Sequence, residues 1–332
     1  MGSVSIEIDL SLSNIWRSWF KFRRGKRKIK ELENFQYYLE DSLWRLFCDF
    51  DESKYVHGQY QHFTFQDGKR RDIMVASVRD RVVHRLVYEY LVSIYDHSFM
   101  YDVWSCRKDK GLIGAIERTQ KFLKKYPDSF VWRGDITKFF DNIKQNILFD
   151  ILSRRVKDKK AMGLIKKIIN SYSYEISDSE RGQRTNLQGI PIGNLTSQIF
   201  ANIYLNELDR FVKHILKPQF YLRYGDDFII ITPKRTALEN LRGQIIFFLK
   251  NSLGLEINRK NDIILPMRRG IYFLGTELYP TGRRLKFKNW HRAQTKLDQQ
   301  NVASYCGLIK QHYPKKLKHF NWLITKIYAQ AS

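Results

Sequence analysis

The segment Tyr224-Gly225-Asp226-Asp227 lies between two short apolar runs, residues 220–222 and 228–231, and it constrains the fold of the 332-residue chain most. Apolar runs of this length around a glycine-containing turn predict two β-strands joined as a tight hairpin. The hairpin would place two adjacent carboxylates at one solvent-facing point, where they repel each other unless a cation lies beside them. Mg²⁺ suits such a point, because it prefers oxygen ligands and often uses only one or two carboxylates. An ordinary Asp-rich turn is the alternative that these four residues alone leave open.

The composition indicates a polyanionic partner. The chain has 58 Lys and Arg residues against 34 Asp and Glu, a formal net charge of +24. This balance favours nucleic acid first and an anionic membrane surface second. Apolar residues make up 43% of the chain, which excludes a mainly disordered protein. No apolar run approaches the ~18 residues of a membrane span, and the N-terminus lacks a signal-peptide pattern, so we expect a cytoplasmic protein.

Zinc chemistry is not indicated. The three cysteines, Cys48, Cys106 and Cys306, are far apart and form no CxxC pair, and the eight histidines form no HExxH motif. Free thiols of this kind fit a reducing compartment.

The N-terminal region mixes cations with aromatic residues. Such a stretch can bind phosphates and stack on bases, although a solvated amphipathic helix has a similar composition. The candidate RNA-binding cations are Arg23, Arg24, Lys26 and Arg27, with Arg107 further along the chain.

Hydrophobic periodicity predicts a chain that mixes helices and strands. Residues 31–100 read as helical, with a hairpin inserted at about 60–75. Strands are predicted at 130–136 and 271–278, helices at 142–155, 196–212 and 238–253, and a basic helical segment at the C-terminus.

Asp135 stands at the end of the predicted strand 130–136. A buried carboxylate without a partner is costly, and metal ligation beside Asp226 would explain it, whereas capping of the next helix is the alternative. The glycine-rich stretch 188–198 then opens the helix that starts at Thr196. Such a loop can bring backbone close to a flat substrate or a phosphate, or it can be a simple helix entrance.

The order of these features resembles the palm of a reverse transcriptase, motifs A to E. The order is the strand with Asp135, the glycine-rich loop and helix, the Tyr-Gly-Asp-Asp hairpin, a helix followed by Lys260, and a strand with Phe273. The resemblance covers about residues 30–330. It implies an α+β right-hand polymerase with fingers, palm and thumb, in which helices back an antiparallel palm sheet. The implied parts are a basic extension (1–30), fingers with part of the palm (31–128), the palm (129–278, with loop 182–196 close to the fingers) and a helical basic thumb without an RNase H domain (279–332).

The resemblance also implies a reaction. A primer 3′-hydroxyl would attack the α-phosphate of a dNTP on a template RNA to make cDNA, with two Mg²⁺ ions, or Mn²⁺, at the site. The implied metal ligands are Asp135, Asp226, Asp227 and the backbone carbonyl of Ile136. Lys260 matches the position proposed to protonate the leaving pyrophosphate.

Further family positions imply contacts with the nucleotide and primer. Lys69 and Arg71 would meet the triphosphate, and Phe140 would be the steric gate against a ribose 2′-hydroxyl. The remaining implied contacts are Ile192, Gly193 and Gln198 around the nucleotide, and Phe273, Leu274 and Gly275 in the primer grip.

The loop at residues 192–198 is similar to the corresponding loop in the reverse transcriptases of diversity-generating retroelements. Most reverse transcriptases have Gln and Pro where this chain has Ile192 and Gln198. The segment 105–111 is also similar to that group. This subtype implies error-prone copying of template adenines, mutagenic retrohoming, a structured template RNA and an oligomeric accessory variability determinant in a bacterium or phage. Ile192 would lack the polar contact that relatives make with the nucleotide.

Three alternatives stay open. The chain could be another bacterial reverse transcriptase of the antiphage, retron or group II intron type. An RNA-dependent RNA polymerase usually carries an acid where Phe140 stands, which counts against it. An RNA-binding scaffold without catalysis would not need Asp135, Asp226 and Asp227.

Overall fold

The structure is a computed structural model that describes residues 6–67, 69–172, 188–298 and 301–331. Helices and antiparallel strands are mixed along the chain, as the α+β prediction requires. In chain order the elements are α1 (Leu12–Arg23), α2 (Lys30–Tyr37), α3 (Leu39–Asp51), β1 (Gln61–Asp67), β2 (Lys69–Val75), α4 (Val78–Tyr95), α5 (Leu112–Lys125), β3 (Phe130–Gly134), α6 (Phe139–Asn142), α7 (Gln145–Ser153), α8 (Lys159–Asn170), α9 (Leu195–Arg210), β4 (Phe220–Tyr224), β5 (Asp227–Thr232), α10 (Arg235–Leu253), β6 (Ile263–Pro266), β7 (Ile271–Phe273), β8 (Thr276–Tyr279), β9 (Gly282–Leu285), α11 (Phe287–Thr295), α12 (Val302–His312) and α13 (Leu317–Ala331).

These elements form two compact units. Unit 1 comprises Met1–Met100, Ile136–Phe211 and Ile246–Glu256, and unit 2 comprises Tyr101–Asp135, Val212–Ile245 and Ile257–Ser332. The division into fingers, palm and thumb stays a prediction, and residues 182–187 of its loop lie outside the described part of the chain.

Unit 1 is built around helix α4. This helix is buried on most of its surface and packs against α1, α8 and α9. Helix α1 begins at its N-cap Ser11, whose side chain accepts a hydrogen bond from the backbone N–H of Asn14. Its apolar face buries Ile15, Trp19 and Phe22, at the spacing that an amphipathic helix requires. Because α4 is central, buried polar groups on it such as His84 must be hydrogen-bonded.

The hairpin predicted near residues 60–75 is present in unit 1. Strands β1 and β2 pair antiparallel from Gln61 opposite Val75 to Asp67 opposite Lys69. The backbone of β2 is described at Lys69 and Arg71, whereas the side chains of residues 65–71 lie outside the described part of the structure.

Unit 2 contains a four-stranded antiparallel sheet in the order β4-β5-β3-β6. One face packs with helix α5 in a core that contains Val131, Leu222, Ile229 and Ile231. On the other face, the rings of Trp132 and Phe228 meet edge to face with centroids 5.1 Å apart. Burial on both faces explains why the strands read as almost continuous apolar runs.

A second sheet in unit 2 corrects the prediction of one strand over 271–278. That stretch is a hairpin of β7 and β8, and β9 extends it to three strands. The chain reverses at Leu274 and Gly275, which both have left-handed backbone angles, φ 50° and 81°. Apolar alternation continues across this turn, because Leu274 packs against the core and hides the break.

Two predicted boundaries also change. Strand β3 ends at Gly134, because the carbonyl of Asp135 accepts from the backbone N–H of Asn258 instead of a neighbouring strand. The helix expected at 142–155 is the shorter α7, Gln145–Ser153, which begins after Lys144, where the chain forms an isolated bridge with Gln188.

The C-terminal segment is helical, as predicted. Helices α11 to α13 enclose a small core with β9 that includes Leu285, Trp290, Ile309 and Phe320. Among the described residues, no helix is both long and apolar enough to cross a membrane.

Candidate active site

The Tyr-Gly-Asp-Asp segment forms the predicted hairpin between β4 and β5. Tyr224 pairs with Asp227, so the loop consists of Gly225 and Asp226 alone. Gly225 has a φ of 65°, a left-handed angle that glycine adopts at little cost. The two carboxylates are half-buried and not at a solvent-facing point, because β5 lies inside the four-stranded sheet.

The register of β3 on β5 brings Asp135 to the same end of the sheet. Gly134 pairs with Phe228, and Asp135 is the next residue on β3. A side chain at position 134 would collide with Phe228, since an added Cβ would lie 2.3 Å from the ring atom Cζ. The glycine therefore allows the two strands to approach where both carry their acids.

Asp135 and Asp226 are close enough for their charges to interact. Burial, and then the negative charge of Asp135, raises the pKa of Asp226 to about 6. Both causes disfavour the charged form of Asp226, and a cation beside the two acids would favour it. This environment and its oxygen donors fit a divalent metal ion such as Mg²⁺.

Asp227 has a different environment. Its Oδ1 accepts from Nη2 of Arg133 at 2.8 Å and from Nε at 3.1 Å. Arg133 lies on β3, is 8% exposed and also faces the ring of Tyr272 at 5.3 Å. Within the described residues, no three Asp, Glu, His or Cys side chains form a group that could hold a metal ion. Asp227 is thus bound by Arg133, and its negative charge also contributes to the raised pKa of Asp226.

Two asparagines that sequence reasoning missed hold Asp135. The side-chain amides of Asn258 and Asn261 donate to its Oδ2 at 3.0 and 2.6 Å. Asp135 is not a helix N-cap, because the residue that precedes α6 is Lys138. The predicted catalytic Lys260 lies between the asparagines, but its side chain is exposed. The segment 258–261 contributes its amides to the site.

A buried cation beneath the turn was also missed. Arg223 on β4 is fully buried, and its Nη1 donates to the carbonyl of Gly225 at 2.9 Å. Its positive charge acts to lower the pKa of Asp226, against the larger effect of burial. An arginine inside an apolar strand was the available sequence signal, since Arg is rarely buried without a partner.

The edge of β4 beside Arg223 is covered by residues 102–104. The backbone of Arg223 donates to Asp102 and accepts from Trp104, both at 3.0 Å. Asp102 is buried and binds Arg118 through two hydrogen bonds of 2.8 and 3.2 Å. This ion pair fixes the strand that leads into the acidic turn.

Several predicted nucleotide contacts lie together in unit 1. Phe140 is half-buried in α6, and its carbonyl accepts from the backbone N–H of Ile190 at 2.9 Å. Ile192 is half-buried two residues further along the same loop, and Gly193 is exposed. Gln198, on α9, is also exposed. Phe140 thus lies beside the glycine-rich loop, and the role of both in binding a nucleotide stays a prediction.

The other predicted contacts are spread over both units. Leu274 and Gly275 form the β7–β8 turn, with Phe273 buried beneath it. In unit 1, Arg24 and Arg27 are exposed, and the exposed Lys26 lies 5.0 Å from the ring of Phe22. Among the remaining RNA-binding candidates, Arg23 donates to Gln36 and to the carbonyl of Lys26, and Arg107 donates to Val103.

Residues 61–278 match the protein-family model described as reverse transcriptase (RNA-dependent DNA polymerase), which covers more than half of the chain. Two curated relatives are encoded by introns. The putative COX1/OXI3 intron 2 protein of Saccharomyces cerevisiae is 24% identical over 269 residues, covering 64% of this chain and 31% of that protein. The group II intron-encoded protein LtrA of Lactococcus lactis subsp. cremoris is 22% identical over 274 residues, covering 63% and 44%. This chain therefore spans less than half the length of these relatives.

A solved structure shares the fold. The apo telomerase of Candida tropicalis superposes with a TM-score of 0.53 at 14% sequence identity, over 83% of this chain and 58% of that one. At this identity the likeness concerns fold alone, and it confirms the predicted right-hand polymerase class.

Proposed function

Because the chain belongs to the reverse transcriptase family, we propose that it is an RNA-directed DNA polymerase that copies a structured template RNA into cDNA. The observation that carries this proposal is the pair Asp135 and Asp226, placed at one end of the adjacent strands β3 and β5. Burial, and then the negative charge of Asp135, raises the pKa of Asp226, and a bound cation is favoured in such an electrostatic setting.

Asp135 and Asp226 would hold the Mg²⁺ ions, with the backbone carbonyl of Ile136 and Asp227 as further candidates. Bound there, two divalent ions would supply charge compensation for the attacking and leaving oxygens of nucleotidyl transfer, and Mn²⁺ could replace them. Asp135 can serve as a well-oriented ligand because two amides fix its carboxylate. Asp227 would contribute less directly, because Arg133 already binds it.

Other residues would support the acidic turn and bind the nucleotide and the primer. Arg223 supports the backbone of the acidic turn, so Asp226 would keep its orientation during the reaction. Phe140 would exclude the ribose 2′-hydroxyl, and Ile192, Gly193 and Gln198 would line the nucleotide. Lys69 and Arg71 would bind the triphosphate, since cations on a strand can pair with phosphate oxygens. Phe273, Leu274 and Gly275 would hold the primer.

Lys260 remains a candidate acid for the leaving pyrophosphate. Its side chain is exposed, and an ammonium group is a suitable proton donor. The cations Arg23, Arg24, Lys26, Arg27 and Arg107 would contact template RNA, so binding should weaken steeply with salt.

For the subtype, we propose a diversity-generating retroelement enzyme that copies template adenines inaccurately and works with an oligomeric accessory variability determinant. The support is the pair of exchanges at Ile192 and Gln198, where most family members carry Gln and Pro. The second candidate is a group II intron-like enzyme, and the similarity to two intron-encoded proteins favours it about as well. A nearby pair of imperfect genomic repeats that differ mainly at adenines would decide for the first.

The central test is metal-dependent primer extension on an RNA template. Asp135→Ala and Asp226→Ala should abolish extension and leave RNA binding intact. Asp128→Ala removes an exposed acid of the same unit and should extend primers normally. Near-normal extension by either active-site variant would contradict the polymerase proposal, and an inactive wild-type protein that binds RNA would favour the scaffold alternative.

A further inference from the structure

The loop at residues 192–194 pairs with the outer edge of strand β2. The backbone N–H of Met74 donates to the carbonyl of Ile192 at 2.9 Å. The side chain of Asn194 donates to the carbonyl of Met74 at 2.9 Å and accepts from the N–H of Ala76 at 3.3 Å. Both backbone groups of Met74 therefore face away from β1 and are used by the loop. The loop thus covers this edge of β2 with one backbone hydrogen bond and two bonds from the side chain of Asn194.

The approach of this loop to β2 depends on glycine. Gly193 has a φ of 116°, and an added Cβ would lie 2.7 Å from Cγ2 of Ile73 and 3.2 Å from the carbonyl oxygen of Met74. Neither the angle nor the space suits another residue. The loop and the hairpin are therefore in close contact at Gly193.

Asn194 occupies the N-cap position of α9 but does not cap it. Asparagine is among the strongest N-cap residues, since its side chain can accept from the first backbone N–H groups of a helix. Here the side chain makes no such bond and is 2% exposed. Its hydrogen bonds go to Met74 and Ala76 instead. The side chain of Asn194 therefore binds β2 and does not cap α9.

The first turn of α9 is fixed separately on α4. The hydroxyl of Thr196 lies 2.8 Å from Nδ1 of His84, and Nε2 of His84 lies 2.9 Å from Nε2 of His57. Nδ1 of His57 donates to the carbonyl of Gly58, which can only accept. In the neutral pair, His84 must then donate to His57 and accept from Thr196. The loop thus lies between helix α9, whose first turn is fixed on α4, and the edge of strand β2.

We propose that Asn194 is a positioning residue that couples the β1–β2 hairpin to Ile192. The hairpin carries Lys69 and Arg71, the proposed triphosphate contacts, and the loop carries the proposed contact with the base or sugar. A shift of the hairpin must carry Ile192 with it or break these three hydrogen bonds. The triphosphate and the base or sugar of an incoming dNTP would therefore be bound by groups whose relative position is fixed. This inference rests on the proposed function, because only a polymerase selects a dNTP.

The test compares Asn194→Ala with Asn194→Asp and a matched control. Asp keeps an acceptor for Ala76 and loses the donor to Met74, so it should have an intermediate effect. The control is Asn206→Ala, which removes a buried asparagine of the same helix whose Oδ1 has no hydrogen-bond partner among the described residues. Hydrogen exchange is measured at the amides of Met74 and Ala76, and single-nucleotide incorporation gives kcat and KM for the correct and incorrect dNTP.

Asn194→Ala should speed exchange at Met74 and Ala76 and raise KM for the correct dNTP about tenfold, with a smaller change in kcat and more misincorporation. Asn206→Ala should change neither exchange at these amides nor selectivity. Faster exchange with unchanged KM and misincorporation would overturn the coupling, and so would unchanged exchange. A wild-type protein that extends no primer would instead overturn the proposed function on which the inference rests.

Discussion

The side-chain amide of Asn261 donates a 2.6 Å hydrogen bond to Oδ2 of Asp135. Asn258 donates to the same oxygen, so both amides orient the carboxylate from one side. Groups that orient a metal ligand typically contribute 10–100-fold to metal affinity or activity. We expect Asn261→Ala to slow primer extension roughly 10–100-fold and to raise the Mg²⁺ concentration needed for half-maximal rate.

Initial rates across a Mg²⁺ titration measure this effect, and Mn²⁺ binding followed by electron paramagnetic resonance supplies a readout without turnover. Asn240→Ala, at an exposed position of α10, is the control and should behave as wild type. A normal metal dependence in Asn261→Ala would show that the amide does not orient Asp135.

The acids of this site could be predicted from sequence, whereas the groups that hold them could not. Asp226 and Asp227 lie in a hairpin that local apolar runs define, and Asp135 follows a buried strand. Asn258 and Asn261 reach Asp135 across 123 and 126 residues, a separation that periodicity does not encode. Local patterns predict elements, and only the folded register brings distant polar groups together.

The same reason explains the missed cations and the missed turn. Arg133 and Arg223 interrupt apolar strands, which indicates that each has a partner, but the sequence does not show which residue that partner is. At Leu274, an apolar residue in a left-handed conformation preserves the alternation of a strand and conceals the β7–β8 turn. Helix α4, by contrast, lies within the stretch predicted to be helical, because its apolar pattern is long and continuous.

Phe140 should determine the sugar that the enzyme accepts. Its ring is half-buried beside Phe139, with centroids 5.4 Å apart, so a smaller residue would leave open space. We expect Phe140→Ala to raise rNTP incorporation relative to dNTP incorporation by roughly 10–200-fold, the range that steric pockets provide. Competition between dCTP and CTP in single-nucleotide extension measures the ratio. Phe139→Leu tests whether general repacking has the same effect, and an unchanged ratio in Phe140→Ala would remove the steric role.

Ile192 should limit accuracy at template adenines. An isoleucine offers no hydrogen bond to an incoming nucleotide, so Ile192→Gln should restore a polar contact and reduce errors opposite adenine about tenfold. Sequencing of cDNA made by the enzyme with the proposed template RNA and accessory protein measures the error spectrum. Ile192→Leu keeps the apolar character and should keep the wild-type spectrum. Accurate copying of adenines by the wild-type complex would contradict the retroelement subtype and leave polymerisation unaffected.

His84 should make the stability of the protein depend on pH. Burial, followed by the charges of His57 and Arg81, lowers its pKa to about 3. The unfolded chain binds a proton at this residue near pH 6.5, whereas the folded chain stays neutral. The stabilisation is therefore complete above about pH 6.5 and is lost as the pH falls from there towards 3, by up to ~1.4 kcal/mol per pH unit.

Urea unfolding followed by tryptophan fluorescence at about pH 7 and about pH 5 measures this loss. His84→Gln should be about 1–3 kcal/mol less stable at neutral pH, because it disturbs the bonds to Thr196 and His57. The same variant should lose less stability on acidification than wild type, since it lacks the titrating group. His62→Gln, at an exposed position of β1, should retain the wild-type difference between the two pH values. An equal loss in His84→Gln and wild type would show that His84 is not the group responsible.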